Sequence, residues 1–512
     1  MLKYKLTFPF GFSAYLECLP GMMNKQKFRA VPHPDGKRGY MQMTYISVRA
    51  AADKWGLEER RITALCRDGR IIGARKNGKL WELPDDAPRP LDGRTAEYAE
   101  SKKSIELGEV PGIVRYNSSD AYSSAVISFR ETYLKDPFST AFTPYRICPI
   151  GAHSDHNLGK ITGFAIDKGI HIAYGPKFNG IIEIKSLQFP KRAQWHVAGT
   201  PAQKQNDWAD HLRGATIALN ERYPLRVGLC AVIDGELPIG GLSSSAAVII
   251  TFISALSNLN GIKLTPTELI DIALEAENKY VGVSCGRLDQ SCEVYCRKNN
   301  LLYLDTKDNS YELIPKNPAM KKFKIAVFFS GLERSLAGSK FNMRVDELRS
   351  AAYAIKGFSG MEYGKFSETN LRDVPYETFL RYRDKLPENW AKRADHWYSE
   401  FARVEAGAEA WRRGDIEEFG RLSFESGHSS IYNWETGSPE LKKLYEIMKE
   451  TDGIYGGRFS GAGFKGCCMA IIDPAFQESI LRKVEAEYLA EFPELRGKYS
   501  AHICKTADGV KL

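Results

Sequence analysis

The 512-residue sequence has no run of about 18 consecutive apolar residues, which excludes a helix that crosses a membrane. It has no Cys-x-x-Cys pair either. The ten cysteines are scattered, Cys467 and Cys468 are adjacent, and Cys292 and Cys296 have no matching Cys/His set nearby. That spacing argues against a zinc cage or a disulfide framework, and reduced thiols in a cytoplasmic protein are expected. A secretory leader is not expected: residues 6–23 are fairly apolar, but Pro9, Glu17 and Pro20 interrupt them and no small-residue cleavage site follows. Internal repeats are absent. No Gly-x-x-x-x-Gly-Lys-Ser/Thr occurs, which disfavours the common P-loop fold. With 43% hydrophobic and 26% charged residues, the chain is neither disordered throughout nor fibrous.

Most of the chain also lacks net charge. Residues 95–512 hold 53 basic and 53 acidic side chains, whereas residues 1–94 hold 18 and 10, so the whole surplus of +8 lies in the first fifth. The length allows two to four domains, and the charge division implies that the two parts do different work.

Residues 1–39 show no clean period. Met41 and Met43 stand just before the first convincing element, so 1–39 is expected to be an extension of unknown role, dispensable or a misassigned start. From there the signals sharpen. Ser47 caps an expected helix through Val48, Ala51 and Trp55, with Gly56 as its stop. A second helix from Glu58 carries Ile62 and Leu65 and ends at Gly69, and Arg70 to Trp81 alternates around Asn77-Gly78 as a hairpin. Two short helices and a basic hairpin read as a winged helix-turn-helix over 40–94, and the stretch resembles the excisionase and MerR-like DNA-binding family. Arg60, Arg61, Arg67, Arg70, Arg75, Lys76 and Lys79 are the candidate DNA contacts, against three acidic residues in the same span. A domain reused for protein contact, its charges merely solvated, is the competing reading. Pro84 to Arg94 is the linker.

Beyond residue 100, strands (145–150, 162–174, 180–187, 227–234, 323–330, 467–473) alternate with helices (208–222, 243–259, 266–282, 390–413), as in an α/β or α+β enzyme. Four clusters carry chemistry. In Glu236-Leu-Pro-Ile-Gly-Gly-Leu-Ser-Ser-Ser-Ala-Ala-Val248 a glycine pair precedes serines that open an apolar helix. Free amides and the positive end of that helix suit phosphate, although a cap serine alone is ordinary. Gly461-Ala-Gly-Phe-Lys-Gly466 fits the dinucleotide pattern but precedes a strand instead of following one, so that reading is rejected in favour of a flexible loop over phosphate or substrate. Pro144 to Asn157 reads as a strand broken by Gly151, then a loop with His153, Asp155 and His156. That loop suits a metal or sugar hydroxyls equally well. Finally, Gly282 to Gln290 sets Asp289 after a glycine-rich turn, where a lone Asp is usually a cap.

Taken in order over residues 130–512, these segments resemble the GHMP kinases and, within them, the galactokinase branch. Arg146 to Asn157 looks like the galactokinase signature, 237–247 the phosphate loop, and Gly286 to Gln290 the catalytic-Asp segment. Ser335-Leu-Ala-Gly-Ser-Lys-Phe341 looks like the sugar loop, and 456–466 the third motif. Tyr145-Arg-Ile-Cys-Pro149, Gly151-Ala-His-x-Asp-His156, Lys392-Arg-Ala-x-His396, Phe424-Glu-Ser-Gly-His-Ser-Ser430 and Gly461-Ala-Gly-Phe-x-Gly-Cys-Cys468 are similar to the plant-type galacturonokinases.

The resemblance implies a two-lobed GHMP kinase fold (100–315 and 316–512) that uses ATP and Mg2+, as a monomer or homodimer. Asp289 would accept the anomeric hydroxyl proton, with Arg146 beside it stabilising the transferred phosphoryl group. Glu277 and Ser244 would hold magnesium. Gly240, Gly241, Leu242, Ser243, Ser245, Ala246, Gly461 and Gly463 would take the phosphates, and Trp208 would border the adenine, its other reading being a core aromatic. Ala152, His153, Asp155, His156, Gly286 and Phe341 would meet the sugar.

Galactokinases typically carry Glu where Ala152 stands. A glutamate facing a carboxylate at carbon 6 sets two anions together, and alanine removes that repulsion, so a uronic acid is favoured over galactose. His156, Lys160 and Arg287 are the candidate cations for that carboxylate. Phe341 stands where the family usually has Tyr, and Pro238-Ile-Gly-Gly is one residue shorter than the common Pro-x-Gly-x-Gly. The expected activity is D-galacturonate 1-phosphorylation. The alternatives are galactose or glucuronate as substrate, or a sugar-sensing DNA-binding regulator built on a kinase body.

Overall fold

The computed structural model describes residues 2–7, 13–18, 45–67, 71, 74–78, 80–85, 121–332 and 338–511, in two compact units, 1–113 and 114–512. Arg70, Lys79, nearly all of the 84–94 linker, and 333–337, where the sugar loop begins at Ser335, lie outside the described residues.

In the first unit, β1 (Leu2–Thr7) and β2 (Ser13–Cys18) form an antiparallel pair within the expected extension. Next come β3 (Tyr45–Ser47), α1 (Val48–Trp55), α2 (Glu59–Arg67), β4 (Arg75–Asn77) and β5 (Leu80–Pro84), with sheet order β3-β5-β4. The Ser47 hydroxyl accepts the Ala50 N–H at 3.2 Å, and Gly56 ends α1 at φ +64°, a left-handed conformation that suits glycine. Ala51, Trp55, Ile62, Leu65 and Leu83 make its small core.

The second unit opens with α3 (Ala121–Tyr133), β6 (Ser139–Ile147), β7 (Lys160–Lys177), β8 (Ile181–Ser186), β9 (Ala193–His196), α4 (Asp210–Arg222) and β10 (Gly228–Gly235). It continues with α5 (Ser244–Asn260), α6 (Pro266–Glu275), α7 (Leu288–Tyr295), β11 (Asn300–Asp305), β12 (Tyr311–Pro315), β13 (Lys324–Phe329) and α8 (Gly338–Ser359). The last elements are α9 (Tyr376–Tyr382), α10 (Glu388–Arg413), α11 (Ile416–Tyr432), α12 (Pro439–Lys449), β14 (Ile454–Phe459), β15 (Cys467–Ile472), α13 (Gln477–Glu491), β16 (Ser500–Cys504) and β17 (Thr506–Ala507).

The 18-residue β7 is the spine of an eight-stranded sheet, pairing antiparallel with β6, β10, β11 and β17. A separate antiparallel sheet runs β14-β15-β13-β16. The continuous apolar runs of β13 and β15 are buried along almost their whole length, as expected for strands covered on both faces.

Three expectations need correction. The strand expected at 145–150 begins at Ser139 and ends at Ile147. A register shift follows Pro144, and Cys148-Pro149 leaves the sheet because Pro149 has no N–H for a ladder. The helix expected at 266–282 is α-helical only to Glu275 and then widens into a π-helical turn, Ala276–Val281, a feature frequent at functional sites. The glycine cluster 456–466 is not all loop: Ile454–Phe459 is strand β14, packed on α11. The missing side chain at Gly456 allows this, because a Cβ there would lie 2.1 Å from the Gly420 carbonyl oxygen.

Candidate active site

Arg146 near the end of β6, Asp289 in the first turn of α7 and Ser243 at the entry to α5 meet at one point. Arg146 Nε donates to Asp289 Oδ1 at 2.6 Å, and the Ser243 hydroxyl donates to Oδ2 at 2.5 Å. Arg146 Nη1 also donates to the Gly241 carbonyl at 3.0 Å and to Ser460 Oγ at 3.4 Å. The Arg146 side chain is only 4% exposed, while the Asp289 side chain keeps 27%, so the carboxylate faces an accessible space and its partner does not. Burial works against the Arg146 charge, but the Asp289 carboxylate outweighs it and raises the guanidinium further above its ordinary range.

Ser243 does not cap its helix, as a simple reading of the serine run would have it. It sits at φ +61° with no capping bond and spends its hydroxyl on Asp289. The first amides of α5 are therefore left for a ligand. The two glycine clusters touch here, since a Cβ on Gly241 would lie 2.6 Å from Cys467 Sγ and one on Gly461 3.0 Å from Gly241 Cα. Gly463, at φ +74°, lies against Thr436 and Phe459.

Glu277 lies in the π-turn, 5% exposed, where its Oε2 accepts Gln290 Nε2 at 2.5 Å. The Ser244 and Ser245 hydroxyls, at the first turn of α5, make no side-chain hydrogen bond among the described residues. One buried carboxylate and serine hydroxyls beside a phosphate-receptive helix end suit Mg2+, which takes few protein oxygens and completes its shell with phosphate and water. Among the described residues no group of three or more His, Cys, Asp or Glu forms a self-sufficient metal cage. Trp208 is half-buried against the core, stacks on Phe189 at 5.6 Å and donates its indole N–H to the Lys191 carbonyl at 2.8 Å.

The loop after β6 gathers the expected sugar residues. Asp155 accepts the Leu288 N–H at 3.0 Å, and a Cβ on Gly286 would strike its Oδ2 at 2.3 Å, so this approach requires glycine. Burial, with Asp289 adding to it, pushes Asp155 up to about 6. His153 stacks on Trp434 at 5.2 Å, and His156 lies 5.4 Å from the same ring and edge-on to Phe341. Burial holds both imidazoles in the neutral form, His153 well below its ordinary value and His156 down to about 3.

Two of the three candidate cations for a substrate carboxylate are already committed. Lys160 Nζ donates to Tyr303 at 2.7 Å and to Glu405 at 2.5 Å, and Arg287 pairs with Asp271 at 2.6 Å. Glu405 stands on α10 and Asp271 on α6, elements that local sequence does not place beside these cations.

Sequence reasoning gave no role to the groups that hold this loop. Glu400 accepts the Gly151 N–H at 2.7 Å and binds Ser426, while the fully buried Arg458 reaches Glu400, Ser426 and Ser430. His396 Nε2 meets the Ala152 carbonyl at 3.0 Å, and its Nδ1 meets Ser429 at 2.9 Å. The 392–396 and 424–430 motifs were the available signal. Glu293 had none: it is fully buried one turn after Asp289, and neither carboxyl oxygen has a partner among the described residues.

The fold and these clusters define a GHMP-type kinase. The GHMP kinases N terminal domain family matches residues 210–297, and GHMP kinases C terminal matches 408–490. The Arabidopsis thaliana galacturonokinase is 36% identical over 393 residues, covering 72% of this chain and 92% of that one. The Lacticaseibacillus casei galactokinase is 32% identical over 389 residues, covering 75% and 97%. The solved Lactococcus lactis galactokinase complexed with galactose superposes with TM-score 0.69 at 25% identity, covering 76% of this chain and 99% of that one. The chain belongs to the galactokinase branch of the GHMP kinases. It is a sugar-1-kinase that uses ATP with Mg2+.

Burial, with the Asp289 charge adding to it, holds Glu293 well above the ordinary glutamate value of 4.5. As pH rises past that value the unfolded chain loses this proton while the folded chain keeps it, so the residue lowers stability with rising pH. Glu293→Gln, which has the shape of the protonated acid, is expected to melt with wild type at about pH 4 and above it at about pH 7. Parallel melting curves across that range would show that Glu293 is ionised in the fold.

Proposed function

We propose that the protein transfers the γ-phosphoryl group of ATP to the anomeric hydroxyl of D-galacturonate. The observation that carries this reading is Ala152: a small, 8% exposed residue whose carbonyl is pinned by His396, where galactokinases typically have glutamate. Like charges about 4 Å apart repel by about 4 kcal/mol at an effective dielectric of about 20, so glutamate here opposes a uronate and alanine admits it.

In this reading Asp289 accepts the hydroxyl proton on Oδ2, which keeps a lone pair beyond its bond from Ser243. Arg146 stabilises charge on the transferred group, and the new bond joins the sugar oxygen to phosphorus as ADP departs. Gly240, Gly241, Leu242, the serines 243–245, Ala246, Gly461 and Gly463 hold the phosphates, and Trp208 borders the base. Glu277 and Ser244 hold Mg2+, which neutralises phosphate charge when bound. His153, Asp155, His156, Gly286 and Phe341 frame the sugar. The end of β12 at Pro315, where the chain leaves one sheet for the other, supports lobes of 100–315 and 316–512. The cysteines whose side chains the structure describes are free thiols, which supports a cytoplasmic location.

A second activity is read from residues 40–94 as a winged helix-turn-helix that contacts DNA. Arg60 and Arg67 are exposed on α2, and Lys76 lies 6.0 Å over the Trp81 ring on the hairpin, which supports a basic recognition face. With the kinase body it forms the alternative of a sugar-responsive regulator.

ADP-release assays are expected to give galacturonate a higher kcat/KM than galactose or glucuronate, and Ala152→Glu to lower it on the order of 1000-fold. Preference of the wild type for galactose contradicts the substrate assignment. The full chain is also expected to retard duplex DNA in a salt-sensitive manner, and Arg60→Ala with Arg67→Ala to weaken that binding. Retardation absent at low salt would leave the module as a protein-contact domain.

A further inference from the structure

The buried nitrogens near the 151–157 loop that have no hydrogen-bond partner among the described residues include His153 Nε2, both ring nitrogens of His156, Trp434 Nε1 and Arg349 Nε, with Asn157 Nδ2 in the loop itself. The first four lie on rings packed together, with His153 and His156 at 5.2 and 5.4 Å from Trp434 and Phe341 closing the other side. Arg349 lies on α8, which packs against the Asp155–Asn157 turn, and it is the foremost charge acting on His156. An unpaired buried polar atom costs about 1–3 kcal/mol, so several side by side mark a place that a polar ligand completes.

The charge inventory around them indicates which ligand. Trp434 Nε1 and Arg349 Nε can only donate, and each neutral imidazole offers one donor. Several carboxylates on neighbouring elements are spoken for. Asp155 takes the Leu288 N–H; Glu347 takes Arg393 and Asn389; Glu435 takes Arg393 and Lys392. Glu400 is held by Gly151, Ser426, Arg403 and Arg458. Among the described residues Arg349 makes no hydrogen bond or ion pair, unlike Lys160 and Arg287. A donor-rich cluster beside one uncommitted guanidinium fits an anion, and the residue that would oppose an anion on the adjoining loop is replaced by Ala152.

We propose that Arg349, with His156 and the Trp434 indole N–H, receives the carboxylate of a hexuronate substrate and sets the preference for an acid over a hydroxymethyl group. This rests on the galacturonate reading and deepens it. A site built around an ion pair rejects the analogue that leaves its charged partner unpaired, so Arg349 acts on substrate choice more than on the chemical step.

The test compares D-galacturonate, its methyl ester and galactose as substrates for wild type, Arg349→Gln and Arg349→Lys, with melting temperatures confirming that each folds. Arg349→Gln is expected to raise the galacturonate KM on the order of 100-fold with a much smaller change in kcat. The uncharged ester should feel the substitution far less, and Arg349→Lys should recover part of the loss. Equal effects on acid and ester, or none on either, would overturn the assignment of Arg349 while leaving galacturonate as the preferred sugar. Wild type favouring galactose would instead overturn the substrate reading itself.

Discussion

The contact on which the rest of the site depends is the ion pair between the buried Arg146 and the partly exposed Asp289. It joins the end of β6 to the first turn of α7, and through Gly241 and Ser243 it also fixes the entry to α5. A guanidinium so enclosed is costly unless its donors are satisfied, and Asp289, Gly241 and Ser460 satisfy them. The same bonds bring a carboxylate, a helix N-terminus and two glycine loops together at one point. Phosphoryl transfer asks chiefly for such positioning and for charge of the right sign.

A second constraint holds the 151–157 loop from behind. Glu400 and Arg458 are both fully buried and bridged by Ser426, and Glu400 grips the Gly151 amide. Burial would push Glu400 up, but Arg403, His396 and Arg458 outweigh it and hold it at about 2, so the clamp stays charged. Gly151 itself stands at φ +104° with a hypothetical Cβ 2.6 Å from Ile161 Cα, which leaves no room for another residue. His396 and Trp397 of α10 then bond the Ala152 and Ser154 carbonyls, so the backbone that displays His153, Asp155 and His156 is held at several points.

How far all this was legible in the sequence follows from how local each signal is. Ser47 and Gly56 mark both ends of α1, and Asp289, Arg146 and the glycine–serine loop lie in short motifs whose order identifies the family. The helix break at Ala276 was not visible, because α- and π-helical turns use the same residue types and the difference lies in packing around Glu277. Strand β14 hid inside a glycine cluster because its glycines serve contact with Gly420 and not a turn. Arg349, Glu293 and Glu400 lie in no motif that assigns them a role. His396 meets Ala152 across 244 residues, a pairing that only the folded chain reveals. The same holds for Lys160 and Arg287, whose neighbours Glu405 and Asp271 come from other elements.

The central claim is that Asp289, held by Arg146 and Ser243, carries the proton transfer of the kinase. Single-turnover phosphoryl transfer by the Asp289→Asn variant, saturated with ATP, Mg2+ and the sugar that wild type uses, tests it most directly. The account predicts a rate lower on the order of 1000-fold with sugar binding retained. A variant that folds, binds and transfers at the wild-type rate would contradict it.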